Sequence, residues 1–288
     1  MKFEFINARK KRIDLLNHTQ FKLINIDGQT SATTNISSAV TGGVDGDIVN
    51  NIQAQPRPLV LDIYIIENVE KTKRKLLDII KLKQLGTIHW EQDDRIVEIV
   101  GNVETIDMPR WKDGILMQIT LHCGQPFWES VSEVVEELND ALPLHYFTNY
   151  PNDMLYFPVE GIPFGEVNTM RTRTIHNAGD VSVGLEIDII AFDTVTNPII
   201  YNHLGQFFGI GYGTGNKQVV MNAGDRMKIY TGRNVKAVII NDNNLLNKIK
   251  PKSTWLQLQA GDNVFAINSD DDTTENMQFN LTYKPRYV

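Results

Sequence analysis

Along most of this chain apolar residues recur at every second position, the period of a strand with one covered face. The clearest case is 277–283, where Met277, Phe279, Leu281 and Tyr283 alternate with Gln278, Asn280 and Thr282. Val183, Leu185, Ile187 and Ile189 mark a second such strand, and Phe21–Ile26 ends in the turn dipeptide Asp27-Gly28. Further short strands are predicted at 218–221, 226–231, 235–240, 255–258 and 264–268. Asn-Ala-Gly-Asp at 177–180 and 222–225, and Ala-Gly-Asp-Asn at 260–263, are placed as turns between them. Leu59–Ile66 is apolar almost throughout, which predicts a strand covered on both faces. Residues 87–90 and 95–103 read as a hairpin around Asp93-Asp94, and 115–121 as a further strand.

Two segments break this rhythm. Leu76, Leu77, Ile80 and Leu85 fall at helical spacing among lysines, predicting a helix over about 69–85 capped by Gly86. Val131, Val134, Val135 and Leu138 among four glutamates predict a short acidic helix over 129–139. The prolines 143, 151, 158 and 163 follow, scattered among aromatics. The expected organisation is therefore an N-terminal domain over 1–130, a connection over 131–156 and a C-terminal domain over 157–288. The fold class is mainly β with one helix in the N-terminal domain. The many short strands of the C-terminal part predict a β-sandwich or jelly roll. The polar stretch 29–46, with Gly42-Gly43 and Asp45-Gly46, reads as a long loop or arm. It is too long for an idle turn in a compact domain, so it is expected to fold onto a neighbouring subunit. Ser31, Thr33, Thr34, Val40 and Val44 are its interface candidates.

The 288 residues carry a net charge of −7, which argues against a protein that wraps nucleic acid by neutralising phosphates. The lone cysteine, Cys123, excludes a disulfide within the chain and reads as a buried, inert thiol at a strand end. No signal-peptide core precedes the basic cluster Arg9-Lys10-Lys11-Arg12, and no run approaches the roughly 20 apolar residues of a spanning helix. Arg9, Lys10, Lys11 and Arg12 lack interleaved aromatics, so they read as a partner-docking site for an acidic protein neighbour and not as a nucleic-acid arm.

The search for chemistry points to no catalytic residues, no cofactor and no metal. Gly209–Lys217 is rich in glycine, but Asn216 separates the last glycine from Lys217 and a strand follows, so it reads as a connection and not a phosphate loop. Asp270, Asp271, Asp272 and Glu275 lack the alternation of a calcium loop and read as a solvated turn. The six histidines never pair at metal-ligand spacing. Trp111, Trp128 and Trp255 are candidates for a sugar platform, though each adjoins a turn or strand end where tryptophan closes a core.

Two segments about fifty residues apart carry a family resemblance. One is Gln55-Pro56-Arg57-Pro58 running into the 59–66 strand. The other is the strand from Gly114 that ends in the corner Gly124-Gln125-Pro126-Phe127-Trp128. With Gly86-Thr87-Ile88-His89-Trp90, Trp255-Leu256-Gln257-Leu258-Gln259-Ala260-Gly261-Asp262-Asn263 and Lys284-Pro285-Arg286-Tyr287, they resemble the distal tail protein family of long-tailed bacteriophages. The resemblance implies a non-enzymatic virion tail component made in the host cytoplasm. Its N-terminal domain would form a hexameric ring and its C-terminal domain a galectin-like sandwich. The ring would join the tail tube protein to the tail-tip hub protein, carry a receptor-binding protein in some phages, and leave a channel through which DNA passes without specific binding. Two other readings stand beside it. One is a carbohydrate-binding β-sandwich that recognises cell-wall glycans. The other is a baseplate subunit of a contractile tail or tail-like bacteriocin.

Overall fold

The computed structural model describes residues 1–30, 32–40, 42–43, 45–92, 95–111, 114–138, 141–143, 165–167, 172–232 and 235–288. The chain divides into two compact units, Met1–Ser132 with Arg286–Val288, and Glu133–Pro285. Much of the expected connection over 131–156 lies outside the described residues.

The N-terminal unit contains β1 (Lys2–Asn7), β2 (Arg12–Asp14), β3 (Phe21–Asp27), β4 (Thr34–Ala39), β5 (Ile48–Ala54) and β6 (Arg57–Ile65). It continues with α1 (Val69–Ile79), β7 (Leu85–Gln92), β8 (Arg95–Asp107), β9 (Arg110–Trp111), β10 (Gly114–Cys123) and β11 (Trp128–Ser130). One sheet runs β2-β1-β7-β8-β10-β6-β3. Within it β6 joins β10 in continuous antiparallel register from Arg57↔Cys123 to Ile65↔Ile115. Arg57, Leu59, Leu61, Ile63 and Ile65 point into the core, whereas Val60, Asp62 and Tyr64 are only half-buried. The apolar run 59–66 is thus covered fully on one face, because Asp62 must keep polar company: its carboxylate accepts from Gln118 Nε2 at 2.9 Å and Asn25 Nδ2 at 3.2 Å.

Helix α1 lays Leu76 and Ile79 on this core and ends six residues before Leu85. Ile80 is already extended, and Lys83 turns the chain at φ 63°. Gly86 is not a cap. It stands in β7, where a Cβ would meet the ring of Phe5 at 2.4 Å. Its role is close packing, a signal that helix-capping logic misreads.

The C-terminal unit is built on two larger sheets beside three two-stranded pairs. Six strands run in the order Val134–Glu137, Met277–Tyr283, Glu186–Ala191, Arg226–Tyr230, Ala237–Ile240 and Asn243–Asn244; four run Thr172–Asn177, Gly261–Asn268, Ile199–Asn202 and Phe207–Gly209. Between them lies a core that includes Ile187, Ile189, Phe208, Phe265, Phe279 and Leu281. The expected helix over 129–139 is not formed. Trp128–Ser130 and Val134–Glu137 are strands, the second paired with Met277–Tyr283 from Val134↔Tyr283 to Glu137↔Asn280. The backbone amide of Leu138 extends that pairing to the carbonyl of Phe279. A single apolar stripe with weak helix formers loses to an available sheet edge. Mainly β with one helix is nevertheless the observed class among the described residues. No helix among them is long and apolar enough to cross a membrane.

Because the C-terminal unit encloses its own core, we expect a fragment spanning 133–285 to unfold cooperatively on its own in urea. A fragment with no cooperative transition would show that the two units fold only together.

Candidate assembly surface

The two segments singled out in the sequence meet at one atom. Arg57 opens β6 and Trp128 opens β11, and both donate to the backbone carbonyl of Gln29, from Nη1 at 3.1 Å and from Nε1 at 3.0 Å. Arg57 is 1% exposed and Trp128 2% exposed, so both donors lie away from water, while Gln29 itself is half-buried. The chain reaches this point through Gly28, at φ 79°, where a Cβ would lie 2.2 Å from the carbonyl oxygen of Pro58. Only glycine fits. The corner is backed by Trp90, whose ring centre lies 5.4 Å from that of Trp128. The chain terminus closes it: Tyr287 pairs with Trp128, and Arg286 Nε donates to Glu129 Oε1 at 2.9 Å. The familiar Lys284-Pro285-Arg286-Tyr287 thus contributes Arg286 and Tyr287 to locking the N-terminal unit.

Burial of Arg57 lowers its affinity for a proton, opposed by Cys123. Cys123 is fully buried, and desolvation raises its pKa from 9.0 to about 11 against the pull of Arg57. The thiol is therefore protonated at neutral pH and is no nucleophile.

Beyond the clamp the stretch expected as a loop is a β-hairpin, β4 paired with β5. The turn dipeptides at 42–43 and 45–46 were legible; the strands were not, because serine, threonine and asparagine mask the alternation. Ile36 faces Ile52, and after a register shift at Ser37/Ser38, Ser38 faces Val49. The bulge keeps Val49 on the side of Ile36 and Ile52. The opposite side carries Asn35, Ser37, Asn51 and Gln53, with Ala39 and Ile48 at the turn end. The hairpin is amphipathic, yet its apolar side is open: Ile36 is 55% and Ile52 62% exposed. Of the interface candidates, Thr33 receives Gln55 N at its carbonyl at 2.8 Å, Thr34 opens β4, and Val40 is exposed just after it. Ser31 and Val44 lie outside the described residues.

The basic cluster divides. Arg9, Lys10 and Lys11 form the β1–β2 turn, organised by Asn7, whose Oδ1 accepts from the amides of Arg9 and Lys11 at 3.0 Å. Asn7 Nδ2 donates to Ile79 O at 3.1 Å and ties the turn to the end of α1. There Lys11 Nζ meets Asp78 at 2.9 Å and Lys81 Nζ at 3.8 Å. The hydrogen bond from Lys11, then the charges of Lys11, Lys81 and Arg9, hold the Asp78 carboxyl below the usual range. Arg12 belongs elsewhere, 3.9 Å from Glu4.

Trp128 is buried, and Trp255 packs on Phe208 at 4.7 Å between ring centres. The side chain of Trp111 lies outside the described residues. In the glycine-rich connection, Gly211 passes Asn197, whose Oδ1 accepts the amide of Val219 at 2.9 Å. Asp270 accepts from Asn197 Nδ2 at 2.7 Å, and Asp271 from Thr196 N at 3.0 Å. Among the described residues no three metal-ligating groups converge.

Residues 179–287 match the family model described as siphovirus-type tail component, C-terminal domain. Over the whole chain the protein is similar in fold to the Dit protein of phage SPP1, described as a paradigm of the hub adsorption apparatus in Gram-positive-infecting phages. The TM-score is 0.67 at 11% identity, with 99% of each chain covered. It also aligns with a chain of the phage P2 baseplate in its activated conformation with calcium, at TM-score 0.47 and 11% identity, over 100% of this chain and 99% of the other. A search of curated protein sequences finds no match. The resemblance to distal tail proteins read from the sequence is borne out by the family match and by the shared fold of the SPP1 protein.

Two outcomes test this geometry. Gly28→Ala is expected to cost at least ~2 kcal/mol in urea unfolding, combining left-handed strain with a backbone clash. Gly43→Ala, with φ 89° and nothing within 4 Å, is expected to cost about 1 kcal/mol. Equal costs would show that Gly28 does not seat the arm. Cys123 has a folded pKa above its unfolded 9.0, so its protonated form stabilises the fold below about pH 9, and that contribution fades toward pH 11. Cys123→Val is expected to flatten this alkaline loss in a pH series of unfolding midpoints. An unaltered pH profile would place the loss elsewhere.

Proposed function

We propose that the protein is a distal tail protein, a structural ring that joins the tail tube to the tail-tip hub. The N-terminal unit forms the ring, six copies around a channel. The observation that carries this is the hairpin. A two-stranded ribbon is at best marginal in water, and an open apolar side destabilises it further. Covering Ile36, Val49 and Ile52 would contribute several kcal/mol, at about 1.5–3 kcal/mol per fully buried aliphatic side chain. A neighbouring copy of the same unit is the surface available six times over in a closed ring. The fold shared with the SPP1 Dit protein supports the reading.

Charge supports a conduit in a specific way. Of the 28 Lys+Arg and 35 Asp+Glu, 17 of each lie in the N-terminal unit, leaving 11 against 18 in the C-terminal unit. The net −7 therefore belongs wholly to the sandwich, and the ring unit is neutral. A unit with no net positive charge gives no overall drive for duplex binding by counterion release.

Replacing Ile36 and Ile52 by serine is expected to leave the thermal midpoint of the chain within a few degrees of wild type and to shift its mass from assembly to monomer in sedimentation. An assembly of unchanged mass and affinity would rule out the hairpin as the interlock.

A further inference from the structure

The N-terminal unit is neutral as a whole but not locally. Arg9, Lys10 and Lys11 in the β1–β2 turn, Lys75 on α1, and Lys81 and Lys83 in the loop after α1 are all exposed. Among the described residues the carboxylate engaged within this face is Asp78, already shared by Lys11 and Lys81. Lys75 Nζ lies 3.2 Å from His18 Nε2, and the adjacent Asp14 is taken up by Asn17 and the amide of Leu16. The face is rigid. Asn7 joins the turn to the helix end, and the amide of Lys83 donates to Val103 O at 2.9 Å. Two of its lysines also occupy strained backbone: Lys10 at φ 60° and Lys83 at φ 63°. Glycine or asparagine is the comfortable residue there. Lysine at both positions keeps charge on this face against local preference, and such conflict between local rule and sequence marks function.

The C-terminal unit presents the complement. Asp193, Asp270, Asp271, Asp272 and Glu275 are exposed on two adjoining loops, joined by Thr196 N to Asp271 at 3.0 Å and Asn276 Nδ2 to Thr194 O at 3.1 Å. Lys250 Nζ stands 3.5 Å from Asp270.

We propose that the basic face of one copy docks on this acidic end of the C-terminal unit of a neighbouring copy. The inference rests on the assembly of copies proposed above. Gathering copies that each carry −7 on one unit brings like charges within reach of one another, and the basic face is a concentrated countercharge in the same chain. A nucleic acid fits less well, since no exposed aromatic ring among the described residues offers a stacking surface within the face.

The test uses the full chain in sedimentation velocity between about 50 and 500 mM salt, where screening shortens the reach of surface charge severalfold. Wild-type assembly should loosen as salt rises. Lys10→Asn with Lys83→Asn should melt no lower than wild type, because asparagine suits both backbones, yet associate about 5- to 10-fold more weakly at low salt. Lys81→Glu should weaken association, and Glu275→Lys with Asp193→Lys in the same chain should restore it. Assembly of the asparagine variant equal to wild type would overturn the proposal, and so would weakening by Lys81→Glu with no rescue by the acidic-end reversals. Salt-sensitive duplex DNA binding lost in the asparagine variant would assign the face to nucleic acid instead. A wild-type chain that stays monomeric at every salt would remove the ring reading itself, and this docking with it.

Discussion

One backbone carbonyl separates the packed part of the N-terminal unit from the part that is open. Gln29 O takes a buried guanidinium and a buried indole, and the hairpin begins a few residues later. Donors this deep have no water to fall back on, so the position of Gln29 is strongly specified. Everything on one side of the clamp is core: β6 against β10, the Pro-Phe-Trp corner, and the terminal strand Arg286–Tyr287. Everything on the other side is a ribbon that leaves isoleucines in solvent. The arm is flung outward from a rigid root, and that is the geometry an interlocking subunit requires.

The clamp also explains why an arginine stands between two prolines at the head of an apolar strand. The flanking prolines hold the chain extended, and Arg57 turns inward beside Cys123. A charged side chain there is costly without a partner. Its Nε and Nη2 face no acceptor among the described residues, and the bond to Gln29 is the compensation the protein supplies. The thiol opposite is kept neutral, so the pocket gains no nucleophile.

Much of this architecture was legible in the sequence. Strict alternation at 277–283 names a strand and its buried face without error, and the lysine-rich helix is found in the right place. The failures share a cause: local pattern cannot see a neighbouring sheet. Val134–Glu137 has a helical stripe but meets the free edge of Met277–Tyr283. Gly86 looks like a cap but makes room for Phe5. The hairpin hides because its alternation is written in isoleucine against serine and asparagine, with a bulge that breaks the period. The clamp itself joins residues 28 and 99 positions apart and has no local signature. The charge of −7 was read as a property of the chain, whereas the fold assigns it to one unit.

The account stands on the open side of the hairpin being covered in the assembly. Hydrogen exchange of the amides of Thr34–Ala39 and Ile48–Ala54, followed in dilute and in concentrated protein, tests this most directly. The account predicts fast exchange in the dilute monomer and marked protection on assembly, confined to these strands and to the surface that receives them. Assembled protein whose hairpin amides exchange as fast as those of the monomer would contradict it.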